Sequence, residues 1–183
     1  VNSVFTEVST RGSSSGTTGV RIMIVSSEQD DDSLAKIIEE CGGVVVSDFT
    51  CPGRREFGAD VETGGSPIEA LARRYLGLYC ARTYRHSPDG YSQDLEERFR
   101  PIGKLIREFR VEGVILRVHR CCDPYGLEVP SLRKYLLGQG VAVLYIEDDY
   151  SIRDRGRLRT RIQAFIEVGR DGPITGASGV RKP

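Results

Sequence analysis

The sequence has no net charge, no long apolar run and none of the short glycine loops that announce nucleotide binding. Each absence excludes a class of function. Lys plus Arg number 26, Asp plus Glu number 26, and the formal charge is +0, so no global field draws the chain toward nucleic acid or an anionic membrane. No apolar stretch approaches the ~20 residues a membrane-spanning helix needs, and the N-terminus lacks the basic-then-apolar order of a secretory signal. The expected location is cytoplasmic. There is no Gly-x-x-x-x-Gly-Lys-Ser/Thr loop, no Gly-x-Gly-x-x-Gly after the first apolar run and no His-Glu-x-x-His, which argues against P-loop, Rossmann and zincin chemistry. The five cysteines, Cys41, Cys51, Cys80, Cys121 and Cys122, are odd in number, sparse, and never spaced Cys-x-x-Cys. Reduced thiols or metal ligation are expected in place of a disulfide framework. No internal repeat of solenoid length is present.

What remains is an ordinary globular composition. The 183 residues are 39% hydrophobic and 28% charged, enough for one buried core. Residues 1–19 end in the tract Arg11–Gly19, small and polar, as a flexible linker is composed. Val20–Val25 is short and apolar, fit for a buried strand, and Ser33–Glu40 sets Leu34, Ile37 and Ile38 at helical spacing. Gly42-Gly43 ends that helix, and Val44–Val46 begins a second strand. Cys51–Gly65 is rich in Gly, Pro and charge, a long loop. Ser66-Pro67-Ile68-Glu69 combines a capping serine, proline at the first helical position and glutamate three residues after the serine, which predicts a helix to about Leu76. Residues 77–91 are irregular. Leu95, Phe99, Ile102, Leu105, Ile106 and Phe109 then share a helical face, with Pro101 kinking or restarting it.

Gly113–Val118 is a third strand, Ser131–Leu137 a short helix and Val141–Ile146 a fourth strand; Leu158, Ile162, Phe165 and Ile166 mark one side of a last helix. Near-continuous apolar strands alternating with amphipathic helices predict an α/β fold: a doubly wound sheet of about four parallel strands with helices on both faces. The domain spans residues 20–170, and 171–183 form a tail. Ligands in such folds gather beyond the strand carboxyl ends. That rim holds Ser26–Asp30, Phe49–Arg55, His119–Tyr125 and Glu147–Tyr150.

The densest chemistry on the rim is His119-Arg-Cys-Cys-Asp-Pro-Tyr125. A thiolate on such a loop suits iron or zinc, and Pro124 stiffens the turn. A free cysteine is equally at home as a small buried hydrophobe. Adjacent cysteines on extended backbone point opposite ways, so Cys121 and Cys122 should not bind one metal together. His119 is read as structural, and His86 is isolated in a polar loop. Cys51-Pro-Gly-Arg-Arg55 offers a thiol and two guanidinium groups suited to phosphate or carboxylate, or to pairing with Glu56 and Asp60. Glu147, Asp148 and Asp149 could hold a hard cation; the alternative is neutralisation by Arg153, Arg155, Arg157, Arg159 and Arg161.

Several of these segments, in order, resemble one family. Gly42–Val46 through Cys51-Pro-Gly-Arg54 is similar to its second strand and Cys-x-Gly-x-Arg loop, and Pro67-Ile-Glu-Ala-Leu-Ala-Arg-Arg-Tyr75 to a characteristic helix. Cys122-Asp-Pro-Tyr125 matches its Cys-Asp-Pro-Tyr motif, and Glu147–Ser151 with Leu158–Phe165 its closing strand and helix. The family is that of the 2-hydroxyacyl-CoA dehydratases and benzoyl-CoA reductases, and the likeness covers Val20–Val168 as a C-terminal domain. It implies a flavodoxin-like fold in which Cys122 is one ligand of a [4Fe–4S] cluster, the other ligands coming from an N-terminal domain or second subunit. It further implies an acyl-CoA substrate near that cluster, with Ser26, Ser27, Arg54 and Tyr125 as candidate contacts. In the dehydratases, an electron from an ATP-hydrolysing activator protein reduces the thioester carbonyl to a ketyl radical that expels the hydroxyl group. The alternatives are a benzoyl-CoA-reductase-type subunit and a non-catalytic partner subunit that has lost the cluster.

Overall fold

Branched aliphatic side chains build four strands: β1 (Val20–Ser26), β2 (Gly43–Phe49), β3 (Gly113–His119) and β4 (Ala142–Asp148). The structure is a computed structural model that describes residues 2–11, 18–29, 31–51, 53, 60–76, 91–149 and 155–170. All strand pairings are parallel, in the order β2-β1-β3-β4. The helices are α1 (Asn2–Thr10), α2 (Ser33–Glu40), α3 (Pro67–Leu76), α4 (Tyr91–Glu108), α5 (Asp123–Gly126), α6 (Val129–Gly138) and α7 (Arg155–Arg170).

Two apolar layers follow from strand alternation. Ile22, Ile24, Ile115 and Ile146 face Leu34, Ile37 and Ile38 of α2 and Ile162 and Ile166 of α7. Met23, Val25, Val114, Leu116 and Val118 face Phe99, Ile102, Leu105 and Ile106 of α4 and Leu132 and Leu136 of α6. The division follows from handedness. The chain moves outward from β1 to β2 and then back across to β3 and β4, and right-handed crossovers travelling in opposite directions lay their helices on opposite faces. β3 is buried along its whole length, as a central parallel strand should be. Its first residue is tightly enclosed: a Cβ on Gly113 would sit 3.0 Å from the Phe165 ring and 3.1 Å from Ile22, so those side chains would have to give way by a few tenths of an ångström.

β1 and β2 do not pair evenly. Ile22 aligns with Val45, but Met23 aligns with Ser47, a one-residue shift that leaves Val46 as the extra residue. Such a shift reverses which side chains of β2 face which layer. Val45 packs with the α2/α7 layer, whereas Val46 and Phe49 pack with the α4/α6 layer.

Several elements differ from the sequence reading. The expected linker over residues 1–19 begins instead with α1, which has no glycine or proline and is closed by the Glu7–Arg11 ion pair and by the Thr10 hydroxyl donating to the Thr6 carbonyl. α4 runs through Pro101 as one helix. α6 starts at Val129, two residues early, since Pro130 suits a first helical turn. The one-turn α5 was not foreseen. The 171–183 tail and residues 77–90, including Cys80 and His86, lie outside the described residues. No described helix is long and apolar enough to cross a membrane.

Candidate functional site

β1 and β3 are neighbours whose chains leave in opposite directions, β1 toward α2 on one face and β3 toward α5 and α6 on the other. Such a switch point opens a crevice at the strand carboxyl ends. From β1 it receives Ser26, Ser27 and Glu28, and from β3 it receives His119, Arg120, Cys121 and Cys122. The end of β2 adds Cys51.

Hydrogen bonds tie the β1 and β3 loops together. Ser26 Oγ donates to the Glu28 carbonyl at 3.0 Å, and His119 Nε2 lies 2.8 Å from the same oxygen. A carbonyl only accepts, so Nε2 carries a proton. His119, 8% exposed, is therefore a clip between two rim loops. Ser26 is fully buried with its hydroxyl engaged in that clip, whereas buried Ser27 Oγ has no hydrogen-bond partner among the described residues. An unsatisfied buried hydroxyl is uncommon and marks a place where another group can be received.

The cysteine pair separates as adjacent residues should. Cys121 is exposed and adopts φ +67, a left-handed conformation that costs a non-glycine residue of order 1–2 kcal/mol. Cys122 is half-buried and packs against the α4/α6 layer. It is the residue preceding α5: its carbonyl accepts from the Tyr125 and Gly126 amides at 3.2 and 2.9 Å, and its side chain makes no capping bond. Tyr125 is 6% exposed and turned into the core, with its hydroxyl 3.7 Å from Cys51 Sγ. Cys51 in turn donates its backbone N–H to the Ser27 carbonyl at 3.0 Å. Three strand ends thus converge through Ser27, Cys51, Tyr125 and Cys122. Gly53 closes the β2 loop because a Cβ there would fall 2.0 Å from the Asp48 carboxylate and 2.2 Å from the Thr50 hydroxyl.

At the fourth strand end Glu147 and Asp149 are salt-bridged by Arg120, which the sequence reading did not name as their partner; Arg153 lies outside the described residues. Arg120 Nε lies 3.8 Å from Glu147 and its Nη1 3.4 Å from Asp149. Of the α7 arginines, Arg159 pairs with Glu40 and Arg161 donates to the Tyr145 carbonyl. Tyr145 donates to Glu147 at 3.2 Å, and burial, then that carboxylate, pushes its phenol above the ordinary range.

Of the candidate residues, the fold brings Ser26, Ser27, Tyr125 and Cys122 to one rim; Arg54 lies outside the described residues. Cys51 is the rim residue that spacing alone undervalued, its signal being its address two residues beyond the end of β2. Among the described residues, no three His, Cys, Asp or Glu side chains gather as a metal site.

The family described as "2-hydroxyglutaryl-CoA dehydratase, D-component" matches residues 1–168. The YjiM protein of Escherichia coli (strain K12), whose name describes a dehydratase subunit, is 30% identical over 138 residues, covering 75% of this chain and 34% of that protein. The (R)-phenyllactyl-CoA dehydratase beta subunit of Clostridium sporogenes is 26% identical over 150 residues, 82% of this chain and 38% of its own length. The lactoyl-CoA dehydratase subunit beta of Anaerotignum propionicum is 22% identical over 151 residues, with the same two shares. The chain spans between a third and two-fifths of these relatives. It belongs to the 2-hydroxyglutaryl-CoA dehydratase D-component family.

Proposed function

We propose that this chain is the part of a 2-hydroxyacyl-CoA dehydratase subunit that contributes one thiolate, Cys122, to a [4Fe–4S] cluster completed by an N-terminal domain or second subunit. The carrying observation is the place of Cys122: half-buried, at the switch point of a doubly wound sheet, in the Cys-Asp-Pro-Tyr turn. Cysteine thiolates are the usual ligands of such clusters. The absence of a three-residue donor group among the described residues is consistent with ligands shared across a domain or subunit boundary.

When bound, such a cluster supplies single electrons at low potential beside the acyl-CoA thioester. The protein's own residues hold and surround it. Cys122 donates sulfur, the His119 clip keeps the β1 and β3 loops from separating, and the Ser27 hydroxyl is free to donate a hydrogen bond to substrate or cluster sulfide. Arg54 is the proposed contact for a coenzyme A phosphate. The electron source is an ATP-hydrolysing activator protein. Relatives named for phenyllactyl-CoA and lactoyl-CoA dehydration support this reading over an aromatic acyl-CoA reductase.

The test is anaerobic iron and sulfide analysis of the complete complex carrying Cys122→Ala or Cys121→Ala. Cluster content should fall in the first variant and hold in the second. Undiminished iron and sulfide in Cys122→Ala would overturn the assignment. Water release from 2-hydroxyacyl-CoA, measured against reduction of an aromatic acyl-CoA, separates dehydratase from reductase.

A further inference from the structure

Cys122 precedes a helix of only four residues. A single turn has no stability of its own, since nucleation fixes several dihedrals for one hydrogen bond. The Tyr125 and Gly126 amides bond to the Cys122 carbonyl within the turn, and the Cys122 N–H donates to the His119 carbonyl at 3.0 Å, which ties the start of the turn to β3 but does not fix the far side of α5. What can orient it is Tyr125. The ring is buried in the α4/α6 layer, and the hydroxyl is in hydrogen-bonding contact with Cys51 Sγ at 3.7 Å. Cys51 is anchored in turn through its backbone N–H to the carbonyl of Ser27 at the end of β1. The register shift at Val46 matters as well, because it puts Phe49, and two residues later Cys51, on the α4/α6 layer with Tyr125.

We propose that Cys51 and Tyr125 are positioning residues for the Cys122 thiol: the contact between them latches α5 to the β1 and β2 strand ends and sets the direction in which Cys122 is presented. Cys51 acts through Tyr125 and is not a ligand. The latch deepens the proposed function, resting on that reading for its purpose but not for its existence. A thiol is a weak donor and weak acceptor that tolerates the longer distance seen here, and alkylation of Cys51 would break the contact.

The experiment measures alkylation of Cys122 in the intact chain, under reducing conditions and without metal, with fragment-ion mass spectrometry separating Cys122 from Cys121. Tyr125→Phe keeps the ring and removes the hydroxyl. It should raise the Cys122 rate about fivefold, equivalent to about 1 kcal/mol, the worth of one hydrogen bond. Cys51→Ala should do the same, Cys51→Ser should restore most of the protection, and Tyr125→Phe with Cys51→Ala should be no faster than either alone, since the two act through one contact. Cys41, beside α7 and remote from the rim, is the internal control. An unchanged Cys122 rate, equal acceleration at Cys41, or additive single variants would each overturn the latch. In the complete complex, Tyr125→Phe should also shift the cluster's reduction potential or electron paramagnetic resonance signature without removing iron. If Cys122→Ala leaves the cluster intact, the ligand assignment fails while the alkylation result still decides the latch.

Discussion

Arg98 of α4 and Glu128, which leads into α6, form an ion pair whose side chains are only 14% and 15% exposed. Glu128 also donates its backbone N–H to the Tyr125 carbonyl at 3.0 Å and accepts at its own carbonyl from Leu132 at 2.8 Å, so the pair sits where α5 hands the chain to α6. Glu128→Gln keeps shape and polarity but leaves the guanidinium without its counter-charge. Full burial makes such a change cost ~3–5 kcal/mol; residual solvent contact reduces this to about 1–3 kcal/mol. At ~2–4 °C per kcal/mol for a chain of this size, the melting temperature should drop by roughly 2–12 °C. The contrast is Arg159–Glu40, with side chains 51% and 56% exposed, for which Arg159→Gln should cost under about 1 kcal/mol. Urea unfolding of both variants and of Arg98→Met/Glu128→Gln, at low and high salt, measures the difference. The Glu128→Gln cost should persist in high salt and be partly recovered in the double variant. If Glu128→Gln costs no more than Arg159→Gln, burial does not govern these pairs and the reasoning fails.

Two further outcomes follow from the rim and its neighbours. Cys121→Gly relieves the left-handed strain at φ +67 and should raise stability by about 0.5–1 kcal/mol in urea unfolding, without lowering the iron content of the complete complex. A destabilised or cluster-free variant would show that Cys121 does more than turn the chain. The Ser33 hydroxyl, then the Ser33 backbone N–H, holds the Asp31 carboxyl below its ordinary value of 3.8. A lowered folded-state pKa adds stability that is present above the unfolded value and lost as pH falls through the folded one. The stability gap between the wild-type chain and Asp31→Asn should therefore be full at pH 7 and close below about pH 4. A gap that stays constant to pH 2 would refute this cause.

Local pattern carried most of the architecture. Val20–Val25, Gly113–Val118 and Val141–Ile146 are branched and nearly all apolar, and only a strand covered on both faces uses such runs, so the parallel sheet and its rim addresses were legible without coordinates. The Cys-Asp-Pro-Tyr turn at Cys122 and the helix announced by Ser66-Pro67 were legible for the same reason: their information lies within a few residues. Tertiary packing decided what depends on residues far apart in the chain. The strand order put β1 beside β3 and so created the switch point. The extra residue at Val46 reversed the facing of β2 and brought Cys51 to a tyrosine 74 positions away. Arg120, from the β3 loop, reaches Glu147 and Asp149 at the end of β4, a pairing between residues 27 and 29 positions apart. Periodicity records which residues want burial, but not which strand lies alongside or how the register falls, because those are settled by the joint fit of both apolar layers.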